Sequence, residues 1–303
     1  MHYGLDIGGT KMEMAIFDHD FTLLNRWRVA TPTQDYAAFI EQICAQISRA
    51  DDFSASQGSI GIGMPGIQSA DGKVLSSNVA CLNGHKICGD LAKALQRPVA
   101  MANDCRCFTL SEARLGAGRG YHRVFGAILG TGAGGGLCID GRLYDCANDL
   151  AGEFGHQGIS ARVMQKYDLP LYDCGCGLKG CAETYISGTG LARIYQHFSH
   201  QQADTYQWLD AYQHGDHQAI EAFNCYMDAL GAVMANQVLA YDPDMIVLGG
   251  GISDIDVISG GLSPWIGKHL FPAAVVPRIE KAELGAASGV RGAALIGAQE
   301  QGI

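Results

Sequence analysis

The stretch Tyr3-Gly-Leu-Asp-Ile-Gly-Gly-Thr-Lys-Met-Glu-Met-Ala-Ile-Phe-Asp18 decides the fold. An apolar run meets a Gly-Gly-Thr turn, and apolar residues then alternate from Met12 to Ile16. Alternation on both sides of a glycine turn predicts a β-hairpin. Residues 124–141 repeat this plan around the glycine-rich segment 130–136. We interpret the two stretches as a diverged duplication of one supersecondary unit.

The rest of the chain alternates segments of strand and of helical periodicity, which is typical of an α/β protein. The predicted strands are Ser59–Met64, Val99–Ala102 and Met245–Leu248. The predicted helices are Tyr36–Arg49, Cys105–Leu115, Ala219–Ala240 and, at the end of the chain, Val290–Gln299. Three glycines between Leu115 and Gly120 indicate a hinge, and we expect a domain boundary there.

Charge and composition exclude several classes of function. The 303 residues include 21 lysines and arginines against 31 aspartates and glutamates, a net charge of −10. A nucleic-acid or anionic-membrane binder needs a positive surface, so we expect neither partner. The uncharged run Val124–Ile139 has 16 residues, fewer than the roughly 20 that a spanning helix needs. Eleven cysteines and no export signal indicate a reducing compartment, so we expect a cytoplasmic protein.

Three glycine turns are candidates for holding one ATP. Glycine lets backbone N–H groups approach phosphate oxygens, and an aspartate beside such a turn can orient water bound to Mg²⁺. A plain glycine hairpin turn remains the alternative for the first of them. The candidate residues are Asp6, Gly8, Gly9, Thr10 and Lys11 in the first turn, Thr131, Gly132 and Gly134 in the second, and Gly249, Gly250 and Gly251 in the third.

A histidine and three cysteines have the spacing of a metal site. His156 precedes Cys174 by 18 residues, and Cys176 and Cys181 follow at intervals of two and five. One imidazole and three thiolates form the closed tetrahedral set that structural Zn²⁺ prefers. The sequence therefore predicts a structural zinc, with unrelated buried cysteines as the alternative.

Asn103-Asp104 lies where a predicted strand meets a predicted helix. Asp104 has two interpretations there, a base that accepts the proton of a sugar hydroxyl or a helix N-cap. Basicity matters little for such a base, because phosphoryl transfer is largely dissociative and positioning contributes more. Cys105 and Cys107 lie two apart on the helix and point in different directions, which favours packing over metal binding.

These motifs together resemble the repressor–open reading frame–kinase (ROK) family of sugar kinases. The resemblance rests on Asp6-x-Gly-Gly-Thr-Lys11, Gly130-Thr-Gly-x-Gly-Gly-Gly136, Glu153-x-Gly-His156 and Cys174-x-Cys-Gly-x-x-Gly-Cys-x-Glu183, and it covers essentially the whole chain. It implies an actin-like, hexokinase-like (ribonuclease-H-like) α/β fold with ATP and sugar in an interdomain cleft. The implied domains are residues 1–117 with 288–303, and residues 118–287.

The resemblance also implies an activity and a set of site residues. Within the family the chain is similar to bacterial N-acetylglucosamine kinases, which implies ATP-dependent phosphorylation of the 6-hydroxyl of N-acetyl-D-glucosamine by a homodimer. Asp104 would then be the catalytic base for that hydroxyl. The residues implied to hold or line the sugar are Gly66, Asn78, Asn103, Asp104, Glu153, His156 and Glu183.

Two alternatives remain open at this point. The chain could be a glucokinase or another hexose or N-acetylhexosamine kinase of the same family. The small residues of Ser76–Gly84 are compatible with an acetamido group at C2 of the sugar, but the same loop could instead close on a plain 2-hydroxyl. The chain could also be a sugar-responsive repressor, which would carry a helix-turn-helix module before the first hairpin. Because that hairpin begins at residue 4 and the net charge is −10, we expect the kinase.

Overall fold

The computed structural model describes residues 1–76, 79–300 and 302, and it has the expected alternation of strands and helices. The strands are β1 (His2–Ile7), β2 (Lys11–Phe17), β3 (Leu23–Ala30), β4 (Ser59–Met64), β5 (Ile67–Gln68), β6 (Val74–Leu75), β7 (Ala100–Asn103), β8 (Arg123–Leu129), β9 (Ala133–Ile139), β10 (Arg142–Leu143), β11 (Met245–Gly249) and β12 (Arg278–Lys281). The helices are α1 (Tyr36–Ser54), α2 (Ile87–Leu95), α3 (Asp104–Leu115), α4 (Ala161–Tyr167), α5 (Glu183–Ile186), α6 (Gly188–Ser199), α7 (Thr205–Gln213), α8 (His217–Tyr241), α9 (Asp256–Ser259), α10 (Leu262–Gly267) and α11 (Ser288–Glu300). Within the described ranges, no helix combines the length and the apolar character needed to cross a membrane.

Two five-stranded sheets share one strand order. The first has the order β3-β2-β1-β4-β7, in which β1, β4 and β7 are parallel and the hairpin strands β2 and β3 are antiparallel. The second has the order β10-β9-β8-β11-β12, in which β8, β11 and β12 are parallel and β10 runs antiparallel to β9. Both hairpins were predicted, and the shared order confirms the duplication that their sequences suggested.

The chain forms two compact units, each with its own apolar core. Unit 1 comprises Met1–Arg119, Gly136–Ala151 and Glu283–Ile303, and unit 2 comprises Gly120–Gly135 and Gly152–Ala282. The boundary at Arg119 falls in the predicted hinge, whereas residues 136–151 lie in unit 1 although the expected domain division assigns them to the second domain. The division at 117/118 and 287/288 stays a prediction.

In unit 1, α11 packs against the sheet at backbone distance. A Cβ atom on Gly61 of β4 would lie 1.8 Å from the carbonyl oxygen of Ala293, and one on Gly4 of β1 would lie 2.0 Å from that of Val290. On the helix itself, a Cβ on Gly292 would lie 1.8 Å from the carbonyl oxygen of Cys107 in α3. Only glycine allows strands and helices to approach this closely. The position of α11 therefore fixes β1, β4 and α3 relative to one another.

A buried carboxylate connects the end of α3 to the start of α11. Glu112 is fully buried and accepts backbone hydrogen bonds from Ala117 at 3.2 Å, Glu283 at 3.0 Å and Leu284 at 3.1 Å. The Ser288 hydroxyl donates a fourth bond at 2.9 Å. A buried carboxylate is stable only when such donors replace its lost water. Ala117, just after α3, and the segment from Glu283 to Ser288, which leads into α11, are thus both hydrogen-bonded to Glu112 of α3.

Gly61→Ala should destabilise the protein by about 3 kcal/mol or more, because the new methyl group has only backbone atoms to displace. Urea denaturation monitored by circular dichroism measures the loss. Gly89→Ala is the control, since Gly89 lies in α2 with no atom within 4 Å of an added Cβ; it should be neutral or stabilising by up to ~1 kcal/mol. A loss below about 1 kcal/mol for Gly61→Ala would contradict the close packing of α11.

Candidate functional site

The site residues predicted in unit 1 lie at the carboxyl ends of its parallel strands. Asp6 is the penultimate residue of β1, Asn103 ends β7, and Asp104 is the first residue of α3. Ligands of open α/β sheets bind at this edge. Burial, with smaller contributions from the negative charges of Asp104 and Glu13, raises the pKa of Asp6 from 3.8 to about 6. Burial also raises the pKa of Asp104, so both carboxylates lack solvation that a cation or a hydroxyl could supply.

The helix cap at this junction is Asn103 and not Asp104. The Asn103 side-chain oxygen accepts the backbone N–H of Cys105 at 2.8 Å, while its amide nitrogen donates to the carbonyl oxygen of Gly66 at 3.2 Å. Asp104 follows the cap, and its Oδ1 also accepts the Cys105 N–H, at 2.9 Å. The Cys105 side chain also hydrogen-bonds the Asp104 carboxylate. Each carboxylate oxygen has two lone pairs, so the carboxylate and one N–H of Asn103 can still bind a ligand.

Gly66 has a structural reason for being glycine. Its φ of +119° lies in the left-handed region, and a Cβ there would lie 2.5 Å from the carbonyl oxygen of Leu75. Its backbone supports Asn103, and both residues line one small pocket of unit 1. Asn78, the other residue expected to line the sugar site in this part of the chain, lies outside the described residues.

The first glycine turn joins β1 to β2 as predicted. The backbone N–H of Gly8 donates to the carbonyl oxygen of Lys11 at 2.9 Å, which closes the turn. Thr31 supports it from outside: its hydroxyl donates to the Gly8 carbonyl at 2.8 Å and its N–H to the Thr10 carbonyl at 3.1 Å. No sequence motif links Thr31 to this turn, so its supporting contacts were not predicted. Gly9, Thr10 and Lys11 are exposed, as phosphate-binding groups must be.

In unit 2, the predicted metal ligands come together. The ligand atoms of His156, Cys174, Cys176 and Cys181 all lie within 4.8 Å of one another. His156 Nδ1 is 3.6 Å from Cys174 Sγ, and Cys176 Sγ is 3.6 Å from Cys181 Sγ. Tetrahedral bonds of ~2.0 Å to nitrogen and ~2.3 Å to sulfur place ligand atoms roughly 3.5–3.8 Å apart. The donor set and its spacing therefore fit a zinc ion.

The three thiols differ in acidity. A backbone hydrogen bond from Leu178 lowers the pKa of Cys176 from 9.0 to about 7. Burial raises the pKa of Cys174 and of Cys181 above the ordinary thiol value. At neutral pH only Cys176 is substantially ionised without a cation, so a metal ion would have to displace protons from the other two.

Glu183 connects this cysteine loop to the second glycine turn. Its Oε1 accepts the thiol of Cys174 at 3.0 Å, and its Oε2 accepts the backbone N–H of Ala133 at 3.4 Å. Glu183 and Glu153 each place a carboxylate oxygen 3.8 Å from a ring nitrogen of His156. The three residues of this unit that were expected to hold sugar hydroxyls therefore form one polar cluster.

A cavity of about 970 Å³ lies in unit 2 beside the second and third glycine turns. Of the predicted nucleotide residues, Thr131 and Gly251 line it. Gly132 instead faces Glu183, Gly134 lies in β9, Gly249 ends β11, and Gly250 has the positive φ that the third turn requires. One wall of the cavity is formed by α7, a helix that was not predicted from the sequence. Its Asp204–Gln207 capping box is a local signal that could have located it.

Known proteins are similar to this chain over nearly its whole length. A model of the ROK family matches residues 2–300. The chain is 58% identical over 297 residues to the N-acetylgalactosamine kinase AgaK of Shewanella sp. (strain ANA-3), covering 98% of this chain and 96% of that protein. It is 41% identical over 299 residues to the N-acetyl-D-glucosamine kinase of Escherichia coli O9:H4 (strain HS), covering 98% and 99%.

The solved structure of the ROK hexokinase from Thermus thermophilus is also similar. It has a TM-score of 0.87 and 30% sequence identity to this chain, and the match covers 99% of each chain. This likeness confirms the expected actin-like, hexokinase-like fold.

Asp6→Asn should stabilise the protein at pH 7.5 by up to about 3 kcal/mol, the equivalent of a pKa difference of about two units. Between pH 3.8 and about 6 the folded state binds more protons than the unfolded state, so the ionised Asp6 costs stability as the pH rises. Urea denaturation without added Mg²⁺ at pH 7.5 and pH 4 measures the difference, which should fall below about 1 kcal/mol at pH 4, because that pH lies close to the ordinary pKa of an aspartate.

Asp20→Asn is the control for this measurement, because Asp20 is exposed and should change little at either pH. If the Asp6→Asn protein is no more stable than the parent at pH 7.5, the ionised Asp6 does not destabilise the folded state.

Proposed function

The chain belongs to the ROK family, as its motifs led us to expect, and we propose that it is a sugar kinase that transfers phosphate from ATP to the 6-hydroxyl of an N-acetylhexosamine. The observation that carries the choice of sugar is the 58% identity to an N-acetylgalactosamine kinase over nearly both chains. N-acetyl-D-galactosamine is therefore our first candidate substrate. N-acetyl-D-glucosamine, expected from the sequence motifs, is the second candidate, supported by the 41% identity to kinases for that sugar.

Asp104 has the environment of the base for this reaction. It occupies the first turn of α3, where the helix dipole favours the carboxylate over the neutral acid. One of its oxygens accepts the Cys105 N–H at 2.9 Å, which fixes the orientation of the carboxylate. A carboxylate fixed at one oxygen can receive a hydroxyl proton at the other, and it orients that hydroxyl for in-line attack on the γ-phosphorus.

Asp6 and the first glycine turn would hold the phosphate end of the donor. Mg²⁺ bound to ATP would supply positive charge that offsets the negative charge developing on the phosphates. Asp6, short of solvation, would accept hydrogen bonds from water on that ion. The exposed N–H groups of Gly9 and Thr10 and the ammonium group of Lys11 are suited to phosphate oxygens.

The two candidate sugars differ only in the orientation of the hydroxyl at C4. The polar cluster of unit 2 offers two carboxylates and an imidazole to such a hydroxyl. A site that pairs the axial C4 hydroxyl leaves one of these groups unpaired when the equatorial epimer binds, which permits discrimination well above tenfold. The substrate preference of the chain therefore depends on which of these groups meets C4.

We assign a structural zinc ion to His156, Cys174, Cys176 and Cys181. When bound, it supplies a rigid tetrahedral anchor and leaves no coordination position for water. Its effect on the sugar would pass through His156, whose second ring nitrogen faces Glu153. Fixing one ring nitrogen fixes the rotamer and the tautomer of the other. The homodimer and the cytoplasmic location expected from the sequence stay predictions.

Initial rates with saturating ATP test the proposed activity on N-acetyl-D-galactosamine, N-acetyl-D-glucosamine, galactose and glucose. We expect kcat/KM to be highest for N-acetyl-D-galactosamine, with both acetamido sugars ahead of the plain hexoses. A higher efficiency with N-acetyl-D-glucosamine would select the second candidate. Higher efficiency with glucose would overturn the N-acetylhexosamine assignment, and no turnover of any sugar would overturn the kinase.

Asp104→Asn should lower kcat by ~10²–10⁴-fold, because the amide keeps the shape of the carboxylate but cannot take the hydroxyl proton. The dissociation constant for ADP should stay within about twofold, since Asp104 is assigned to the sugar. Asp90→Asn is a control on an exposed carboxylate of α2 and should leave kcat unchanged. An Asp104→Asn enzyme with more than about a tenth of the parental kcat would remove Asp104 from the role of base.

Protein purified without chelator should contain about one zinc ion per chain, and Cys181→Ser should remove it together with most of the activity. Elemental analysis and initial rates measure the two effects. Cys44→Ser, which changes a free thiol of α1 outside the cluster, should keep both metal and activity. Zinc-free parental protein would refute the metal assignment, and metal loss with normal turnover would refute its link to the sugar site.

A further inference from the structure

We infer that Tyr206 is the side chain on which the nucleobase of the phosphoryl donor stacks, which makes the donor a nucleotide and not an inorganic polyphosphate. This inference rests on the proposed kinase function and adds a residue on α7 that no sequence motif indicated. Three observations carry it: the charge of the cavity lining, the free aromatic ring at its wall, and the rigidity of the helix that bears that ring.

The cavity of unit 2 has a lining that suits a nucleoside and repels a bare phosphate chain. Its charged lining residues are Asp204, Asp254 and Asp256, and none of the described lining residues is a lysine or an arginine. Lys281 pairs with Asp256, but it does not line the cavity. A polyphosphate needs cationic contacts along its length. The amine and hydroxyl groups of a nucleoside are hydrogen-bond donors that aspartates can accept.

Two tyrosines line this cavity, and only one of them is free. Tyr212 packs within the core of unit 2, with its ring centroid 5.4 Å from that of Trp208 and 5.0 Å from that of Phe223. Tyr206 is 83% exposed, and within the described chain its side chain makes no hydrogen bond and no ring contact. An aromatic ring with both faces open beside a cavity is suited to stack on a planar base.

Helix α7 holds Tyr206 in a fixed position. The Asp204 side chain accepts the backbone N–H of Gln207 at 2.8 Å, and the Gln207 side chain returns a bond to the Asp204 N–H at 2.9 Å. The next residue, Trp208, is fully buried and donates its indole N–H to the carbonyl oxygen of Ala219 at 3.0 Å. Leu209, three residues after Tyr206, lines the same wall, as helical spacing requires.

Calorimetric titration with ADP and with pyrophosphate tests the inference on the full-length protein. Tyr206→Ala should weaken ADP binding by about tenfold or more, since stacking on one aromatic ring contributes on that order. Tyr206→Phe keeps the ring and should bind ADP within about twofold of the parent. Pyrophosphate has no base, so its affinity should be the same in all three proteins. Phe271→Ala is the matched control, because Phe271 is a 62% exposed aromatic of unit 2 that does not line the cavity.

Kinetics give an independent readout of the same residue. Tyr206→Ala should raise KM for ATP by about tenfold with kcat at saturating ATP and KM for the sugar unchanged. ADP affinity within twofold of the parent for Tyr206→Ala would overturn the inference while leaving the kinase intact. A parent that binds no ADP would also overturn it. A parent that binds ADP through Tyr206 but phosphorylates no sugar would instead overturn the proposed function and leave the role of Tyr206 standing.

Discussion

The backbone contact between α11 and strands β1 and β4 is the constraint on which unit 1 depends. Because Gly4 and Gly61 carry no side chain, the helix lies directly on the strands. Gly292 brings α3 equally close to α11, and Glu112 then attaches the start of α11 to the end of α3. Asp6 on β1 and Asp104 on α3 are the two carboxylates that this packing holds near each other. Burial raises the pKa of both carboxylic acids, and the charge of Asp104 adds to the effect at Asp6, so ionising the two acids at this sheet edge costs stability.

Unit 2 positions its polar groups by a different device. Glu153, His156 and Glu183 lie on short helical turns and loops, which lack the rigidity of a sheet edge. The cysteine loop compensates for this, since three of its residues and His156 converge on one point. A metal ion at that point would fix His156, whose ring lies beside Glu153 and Glu183. Sheet packing in unit 1 and metal ligation in unit 2 thus perform the same task, the orientation of polar side chains within each unit.

Local patterns in the sequence predicted much of this arrangement. Glycine turns between alternating apolar residues located both hairpins, and the spacing from His156 to Cys181 located the cysteine cluster, because each of these features has a recognisable sequence motif. Contacts made by residues outside such motifs left no signal in the sequence. Thr31 reaches back 23 residues to Gly8, and Glu112 receives donors more than 170 residues away. The sequence also did not identify Asn103 as the helix cap, because either residue of Asn103-Asp104 can fill that position.

The central claim is that a buried aspartate at a helix start directs phosphate to a primary sugar hydroxyl. The most direct test is a proton–phosphorus correlation NMR spectrum of the product formed from N-acetyl-D-galactosamine and ATP. The account predicts coupling of the new phosphorus signal to the protons on C6. Coupling to the anomeric proton, or release of inorganic phosphate with no coupled sugar proton, would contradict it.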